Sequence, residues 1–200
     1  MTSAGTAPKR VAIFVFDEVE VLDFAGPFEV FAVTGQRPGP SPFDVITVAA
    51  KEGTIRARNG LVVTPSFTFE TLPAPDILVI PGGYGTRPLV KDTTVIDWIR
   101  RMAVNVELVL SVCSGSLLLA KAGLLDGKKA TTHFGALDLL RELAPATTVL
   151  ENTRFVDNGS VITSAGISAG IDMSLHVVGR LLGVDQARET ARYMEYRWVE

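Results

Sequence analysis

Residues 107–116, ELVLSVCSGS, decide the fold because they run an apolar strand directly into a helix, with a cysteine at the junction. The first part, ELVLSV, lacks the polar alternation of a half-exposed strand, as expected for a strand buried on both faces of a parallel sheet. The following LLLAKA, closed by Gly123, predicts a short helix with a natural stop. The stretch therefore predicts a strand, a sharp turn at Cys113 and a helix.

Three apolar runs extend this pattern toward the N-terminus. Residues 9–16 (KRVAIFVF), 43–50 (FDVITVAA) and 76–80 (DILVI) predict buried strands. The helical spacing of apolar side chains in residues 95–102 predicts a crossover helix leading into residues 107–112. Strands that alternate with helices predict an α/β fold, in which a mostly parallel central sheet is sandwiched between helices.

Shorter elements complete the predicted fold. Asn59-Gly60 between two short β-prone runs predicts a small β-hairpin that decorates the sheet. Pro27 is typical of the first turn of a helix, which we expect to continue through Phe28 and Phe31. The remaining predictions are a surface loop at residues 36–42, a strand near 130–132, a helix at 136–143, a hairpin through 157–159, and helices after Ser168 and Asp185.

The length and composition of the chain favour one globular domain. It has 200 residues, of which 47% are hydrophobic and 20% charged, a balance typical of a compact protein. We expect a flexible N-terminal segment, residues 1–8, and a single domain over residues 9–200. Because the sequence shows neither a secretory signal nor an apolar run long enough to cross a bilayer, we expect a cytoplasmic protein without membrane contact.

Charge and cysteine content argue against several partners. The formal net charge is −3 and Lys and Arg form no cluster, so we expect no nucleic-acid partner. Cys113 is the only cysteine, and the two histidines form no close group with it. We therefore expect a free thiol and no metal ion.

Cys113 is the candidate nucleophile. A turn between strand and helix exposes its thiol, and the helix N-terminus favours the thiolate anion. The small residues Ser111 and Gly115 stand two positions before and after it, which allows neighbouring backbone to fit around a strained elbow. The alternative is that Cys113 is a small buried hydrophobe, as lone free cysteines often are.

Four further candidate residues follow predicted strands, whose carboxyl ends form the ligand-binding edge of a parallel sheet. Asp23 is placed to hold or move a proton next to the thiol, or else to cap a helix. Gly82 and Gly83 are candidate oxyanion donors through their N–H groups, or form an ordinary tight loop. His133 is a candidate base for Cys113, or a side chain satisfied by local contacts.

Taken together, these motifs resemble the ThiJ/PfpI superfamily. The motifs are DFAGPFEVF at residues 23–31, PGG at 81–83, SVCSGS at 111–116 and TTHF at 131–134. SAGISAGID at 164–172 is similar to the later loop and helix of the isonitrile hydratase branch. The resemblance implies a flavodoxin-like, class I glutamine amidotransferase-like fold, a homodimer, Cys113 as nucleophile and Asp23 as the carboxyl that contacts it.

The resemblance also implies an activity. Protease-like relatives carry a histidine directly after the cysteine, whereas this chain has Ser114; isonitrile hydratases usually have threonine there, whose hydroxyl serine retains. The implied enzyme is a hydro-lyase that converts an isonitrile and water to an N-substituted formamide. Cys113 would attack the terminal carbon, Asp23 would move the proton, and groups near Gly83 and Ser114 would polarise the intermediate without any cofactor.

Two other functions remain open at this point. Relatives of this fold convert α-oxoaldehydes to hydroxy acids with a similar cysteine and carboxyl, as glyoxalases without a cofactor. The same module resembles the N-terminal part of some AraC-type regulators, which suggests a small-molecule or redox sensor. Because residues 196–200 follow the last predicted helix directly, we expect no helix-turn-helix and no direct control of DNA.

Overall fold

A seven-stranded sheet forms the centre of the protein, whose structure is a computed structural model that describes residues 7–35 and 41–199. The strands are β1 (Lys9–Phe14), β2 (Phe43–Ala49), β3 (Ile55–Arg56), β4 (Val62–Val63), β5 (Phe67–Thr68), β6 (Ile77–Ile80), β7 (Leu108–Ser111), β8 (Lys129–Ala130), β9 (Thr148–Val149), β10 (Phe155–Asp157) and β11 (Val161–Ser164). The order across the sheet is β10-β11-β7-β6-β1-β2-β5. All neighbours are parallel except β10 and β11, so the predicted mostly parallel sheet is confirmed.

Helices pack around this sheet in two groups. They are α1 (Val21–Val33), α2 (Thr86–Leu89), α3 (Thr93–Asn105), α4 (Gly115–Lys121), α5 (Leu137–Leu143), α6 (Ala169–Leu182) and α7 (Val184–Tyr193). Helices α1, α6 and α7 contact one another, whereas α4 contacts α2, α3 and α5. The predicted α/β fold, with helices flanking the sheet, is therefore confirmed.

The strand register brings the functional loops together. Ile80, the last residue of β6, lies opposite Ser111, the last residue of β7. Both strands are buried on every residue, as their continuous apolar sequences predicted. The loops that leave these two strands, residues 81–83 and 112–114, therefore start side by side at the carboxyl edge of the sheet.

Helix α1 begins earlier than the sequence predicted. It starts at Val21, and Pro27 lies inside it rather than in its first turn. Pro27 lacks the N–H that would bond to the carbonyl of Asp23, but the burial of Phe24 and Phe31 on the same helix outweighs the loss of one backbone bond. The earlier start places Asp23 in the first turn of α1.

Both predicted hairpins are present. Strands β3 and β4 pair antiparallel, with Ile55 opposite Val63. Their connection is longer than the expected two-residue turn and contains a 3₁₀ turn over residues 58–60, where Asn59 adopts a φ of 60°. Strands β10 and β11 form the second hairpin, through residues 157–159. Residues 1–6 of the expected flexible segment and 36–40 of the predicted loop lie outside the described residues.

An aromatic cluster packs at the carboxyl end of β1. Trp98 of α3 stacks on Phe69, with ring centroids 3.8 Å apart, and Phe14 of β1 lies 5.6 Å from Trp98 and 5.3 Å from Phe69. Trp98 is 2% exposed, and its indole N–H is buried without a hydrogen-bond partner. The indole therefore contributes through its apolar surface rather than through its polar group.

No helix in the described part of the chain is both long and apolar enough to span a membrane.

The Trp98 environment gives a stability test of this packing. Trp98→Ala removes a large buried ring, so we expect the free energy of unfolding to fall by about 3–5 kcal/mol. Trp98→Phe keeps an aromatic ring against Phe69 and removes an unpartnered N–H, so we expect less than half of that loss. Urea unfolding followed by circular dichroism measures both, and equal losses in the two variants would contradict this description.

Candidate active site

Cys113 occupies a strained elbow between β7 and α4. Its φ is 56°, in the left-handed region that non-glycine residues rarely adopt. The backbone is held there by bonds from the Cys113 N–H to the Ala165 carbonyl, 3.1 Å, and from the Thr132 hydroxyl to the Cys113 carbonyl, 2.8 Å. A Cβ at Gly115 would lie 2.0 Å from the Ile80 carbonyl oxygen. Glycine is therefore required at this position, and the predicted sharp turn is confirmed.

Asp23 points from the first turn of α1 to the elbow and is fully buried. Its Oδ2 accepts a hydrogen bond of 3.0 Å from the Gly82 N–H, whereas Oδ1 is buried with no partner of ordinary hydrogen-bond geometry. The carboxylate also interacts with the Cys113 thiol. This interaction lowers the pKa of Asp23 and raises the pKa of Cys113. Glu20 occupies the N-cap position of α1, so the capping alternative for Asp23 does not apply.

Burial shifts the pKa of both members of this pair. Desolvation raises the pKa of Asp23 from 3.8 to about 7, although the Gly82 N–H and the Cys113 thiol act to lower it. Desolvation raises the pKa of Cys113 from 9.0 to about 12, and the negative charge of Asp23 adds to this effect. When one proton is shared between the two groups, it therefore lies on the sulfur and the charge lies on the carboxylate.

This distribution of charge corrects a sequence-based expectation. The N-terminus of α4 was expected to favour the Cys113 thiolate, but burial and the nearby Asp23 carboxylate raise the pKa of this thiol. The helix is short, with seven residues, and only the Ser114 and Ile167 N–H groups act to lower the pKa of the thiol. Activation of the sulfur therefore requires a base, and Asp23 is in position to be that base.

The backbone N–H groups of the two glycines after β6 donate to side chains of the site, so they are not free donors. The Gly82 N–H bonds to Asp23, and the Gly83 N–H bonds to the Ser114 hydroxyl oxygen at 3.0 Å. Gly83 has a φ of 122°, and a Cβ there would lie 2.3 Å from the Glu18 carbonyl oxygen. In this geometry neither N–H group is free to donate to an oxyanion, because both already have partners.

Ile167 is a residue of the site that the sequence did not single out. Its N–H acts on both Cys113 and Asp23 and lowers the pKa of each. It has a φ of 55°, and its carbonyl accepts from the Gly170 N–H at the start of α6. The sequence signal that could have indicated Ile167 is its place in the SAGISAGID motif. This motif supported the family resemblance, but no role was assigned to Ile167.

His133 lies in the same cleft but forms no described hydrogen bond with Cys113. Its Nδ1 accepts a bond of 3.1 Å from the Gly135 N–H, which caps the 3₁₀ turn at residues 134–136. A Cβ at Gly166 would lie 2.4 Å from the imidazole Cδ2. The ring is therefore a close-packed wall of the cleft with a local hydrogen bond, in agreement with the structural alternative for this residue.

The cleft above Cys113 has a volume of about 380 Å³. It is lined by Glu20, Arg58, Gly83, Tyr84, Arg87, Cys113, Ser114, His133, Phe134, Gly135 and Ile167. Cys113 is only 6% exposed, yet it borders this space. The aromatic rings of Phe134 and Tyr84, 82% and 59% exposed, give the cleft apolar walls near its opening, which suits a small organic substrate.

Three charged side chains line the cleft and were not predicted from the sequence, namely Glu20, Arg58 and Arg87. Nothing in the sequence distinguishes them from surface charges.

In residues 7–35 and 41–199, no three His, Cys, Asp or Glu side chains come together as a possible metal site.

Comparisons with known proteins agree with the fold. The DJ-1/PfpI family model matches residues 9–180. The isonitrile hydratase of Pseudomonas putida is 37% identical over 187 residues, covering 94% of this chain and 78% of that protein. The transcriptional regulator CdhR of Pseudomonas aeruginosa is 34% identical over 137 residues, but the match covers only 40% of it. A ThiJ/PfpI family protein from Pseudomonas syringae superposes with a TM-score of 0.86 at 28% identity, covering all of this chain and 83% of that one.

The raised pKa of Asp23 predicts a pH-dependent stability. Its folded pKa of about 7 lies above the ordinary value of 3.8, so its stabilising contribution is complete at low pH and is lost as pH rises through about 7. Asp23→Asn removes this titration. We therefore expect the free energy of unfolding of the wild type, relative to this variant, to fall by a few kcal/mol between about pH 4 and pH 8.

Urea unfolding at several pH values measures this difference. Asp138→Asn is the matched control, because the side chain of Asp138 is fully exposed and its loss should leave the difference nearly constant. A constant difference for Asp23→Asn as well would show that this carboxyl has an ordinary pKa in the folded protein.

Proposed function

The chain belongs to the DJ-1/PfpI family, and on that premise we propose that it is a cysteine-dependent hydro-lyase that converts isonitriles and water to N-substituted formamides. The observation that carries this proposal is the buried pair of Cys113 and Asp23 at the floor of an open cleft. The similarity to an isonitrile hydratase over most of the chain supports it. The aromatic rings near the cleft opening also suit the apolar substituent of a small, uncharged isonitrile.

The first step joins the sulfur to the terminal isonitrile carbon. Asp23, as the carboxylate, takes the thiol proton while the Cys113 sulfur forms a bond to that carbon. Asp23 then delivers the same proton to the carbon, which gives a thioimidate with a carbon–nitrogen double bond. This step consumes no other reactant, since the thiol hydrogen and the sulfur both add to one carbon atom.

The second step releases the product. Asp23 takes a proton from water while the water oxygen attacks the thioimidate carbon, and Asp23 delivers this proton to the substrate nitrogen. The carbon–sulfur bond then breaks, the hydroxyl becomes the formamide carbonyl, and the released proton returns to the sulfur. The N–H groups of Ser114 and Ile167, which lower the pKa of Cys113, stabilise the negative charge on the departing sulfur.

The hydrogen bonds of the glycine loop favour isonitriles over α-oxoaldehydes, because this loop has no free N–H group for an oxyanion. Attack of a thiol on an aldehyde places a full negative charge on oxygen, which requires free donors next to the carbonyl. The N–H groups of Gly82 and Gly83 are bound to Asp23 and Ser114. In isonitrile addition the proton and the sulfur both go to carbon, so no oxyanion forms in the first step.

The proposal predicts two kinetic results. Cys113→Ala should lower the rate of isonitrile hydration by at least about a thousandfold, since the nucleophile is removed. In the wild type, kcat/KM should rise as pH rises through about 7, because the Asp23 carboxylate is the active form. Asp23→Asn should lose this rise, together with activity by about a hundredfold or more.

Formation of the formamide, followed by chromatography, measures both results, with methylglyoxal as a parallel substrate. Asp138→Asn, which removes an exposed carboxyl that does not line the cleft, should keep the wild-type pH profile. Undiminished hydration by Cys113→Ala would overturn the covalent mechanism, and turnover of methylglyoxal alone would favour the glyoxalase function. Turnover of neither substrate would favour a sensor.

A further inference from the structure

Arg87 enters the cleft without an anionic partner. Its Nη1 donates only to uncharged oxygens, which are the Gly83 carbonyl at 3.1 Å, the Thr86 hydroxyl at 3.2 Å and the Ser114 hydroxyl at 3.3 Å. Within residues 7–35 and 41–199, no carboxylate pairs with Arg87, and its Nε and Nη2 groups donate to no protein atom. A guanidinium is always charged, so this cation retains free donors at the edge of the site.

The other arginine of the cleft is neutralised. Arg58 lies 3.5 Å from the Glu18 carboxylate and is partly buried. Its guanidinium carbon stacks 3.9 Å from the ring centroid of Tyr84, while that of Arg87 lies 5.4 Å from the same ring. Tyr84 thus holds two cations on one side of the cleft, and only Arg87 lacks a carboxylate.

The position of Arg87 is fixed relative to the nucleophile. Ser114 directly follows Cys113, and its hydroxyl oxygen accepts from both Arg87 and the Gly83 N–H. The guanidinium is therefore anchored through Nη1 to the residue next to the cysteine. A planar guanidinium with free N–H groups matches the two oxygens of a carboxylate better than it matches a neutral group.

We propose that Arg87 is a substrate-binding residue and that the substrate carries an anionic group, a carboxylate, close to its reacting carbon. This inference rests on the proposed function and narrows the substrate from isonitriles in general to short isonitriles bearing a carboxylate. Glu20 also lines the cleft, and its charge repels an anion. The substrate carboxylate therefore binds at the free donors of Arg87, which offset this repulsion.

The test compares two alkylating reagents of nearly the same size on Cys113. Iodoacetate is an anion and iodoacetamide is neutral, and both alkylate the sulfur at their CH₂ carbon, with loss of iodide and of the thiol proton. The second-order rate constants are measured for the wild type and for Arg87→Gln, Arg87→Lys and Arg56→Gln, with mass measurement of the modified chain. Arg56 is the matched control because it is an exposed arginine that does not line this cleft.

We expect Arg87→Gln to lower the ratio of the iodoacetate to the iodoacetamide rate constant by about tenfold, since one charge-assisted contact is lost. Arg87→Lys should give an intermediate ratio, because lysine keeps the charge but not the planar donor pair. Arg56→Gln should leave the ratio unchanged. An unchanged ratio in Arg87→Gln, or an equal fall in Arg56→Gln, would overturn the proposal.

A turnover experiment separates this proposal from the proposed function. Isocyanoacetate and its methyl ester present the same isonitrile with and without a negative charge. We expect Arg87→Gln to raise KM for isocyanoacetate about tenfold and to change KM for the ester little. Equal effects on both substrates would overturn anion binding by Arg87. If neither compound is hydrated while the alkylation ratio falls as expected, isonitrile hydration is wrong and the anion site stands.

Discussion

The arrangement depends on one proton shared between two buried groups, the Asp23 carboxyl and the Cys113 thiol. Neither group is well solvated, and burial raises the pKa of both. The Gly82 N–H stabilises the carboxylate directly, and the Ile167 N–H acts on both partners. A buried pair with a single negative charge avoids the cost of two adjacent anions, and the charge lies where it can take the thiol proton when a substrate enters.

Several features of the fold serve this pair at a cost in stability. Cys113 adopts a left-handed backbone conformation, and Asp23 has an oxygen without an ordinary partner. Both features are unfavourable in isolation. The apolar strands β6 and β7, which end side by side, and the α1 helix packed on the sheet provide the rigid surroundings that hold them. Strain concentrated at one edge of a well-packed sheet is typical of a functional site.

The sequence predicted the features that follow from local patterns. Buried parallel strands read as unbroken apolar runs, so β1, β2, β6 and β7 were found close to their observed bounds, and the small residues around Cys113 indicated the elbow. The start of α1 was missed because Pro27 has a strong local preference for a first turn, whereas tertiary packing of Phe24 and Phe31 decides where this helix begins.

Features that depend on three-dimensional contacts were not accessible from the sequence. The N–H groups of Gly82 and Gly83 were expected to be free, but their partners, Asp23 and Ser114, come from distant parts of the chain. The raised pKa of the Cys113 thiol could not be predicted either, because burial and a neighbouring charge are not visible in a strand-to-helix pattern. Arg87 could not be distinguished from the other arginines by sequence, because only the structure shows that no carboxylate of the described residues pairs with it.

The central claim is that Asp23 carries the charge and Cys113 the proton in the resting protein. Thiolate absorbance in the ultraviolet and the infrared band of the protonated carboxyl, followed together against pH, test it directly, with Cys113→Ser and Asp23→Asn used to assign the signals. We predict that the Asp23 carboxyl titrates at about pH 7, while thiolate appears only above the ordinary thiol pKa of 9.0. A thiolate already present at neutral pH beside a protonated Asp23 would contradict the account.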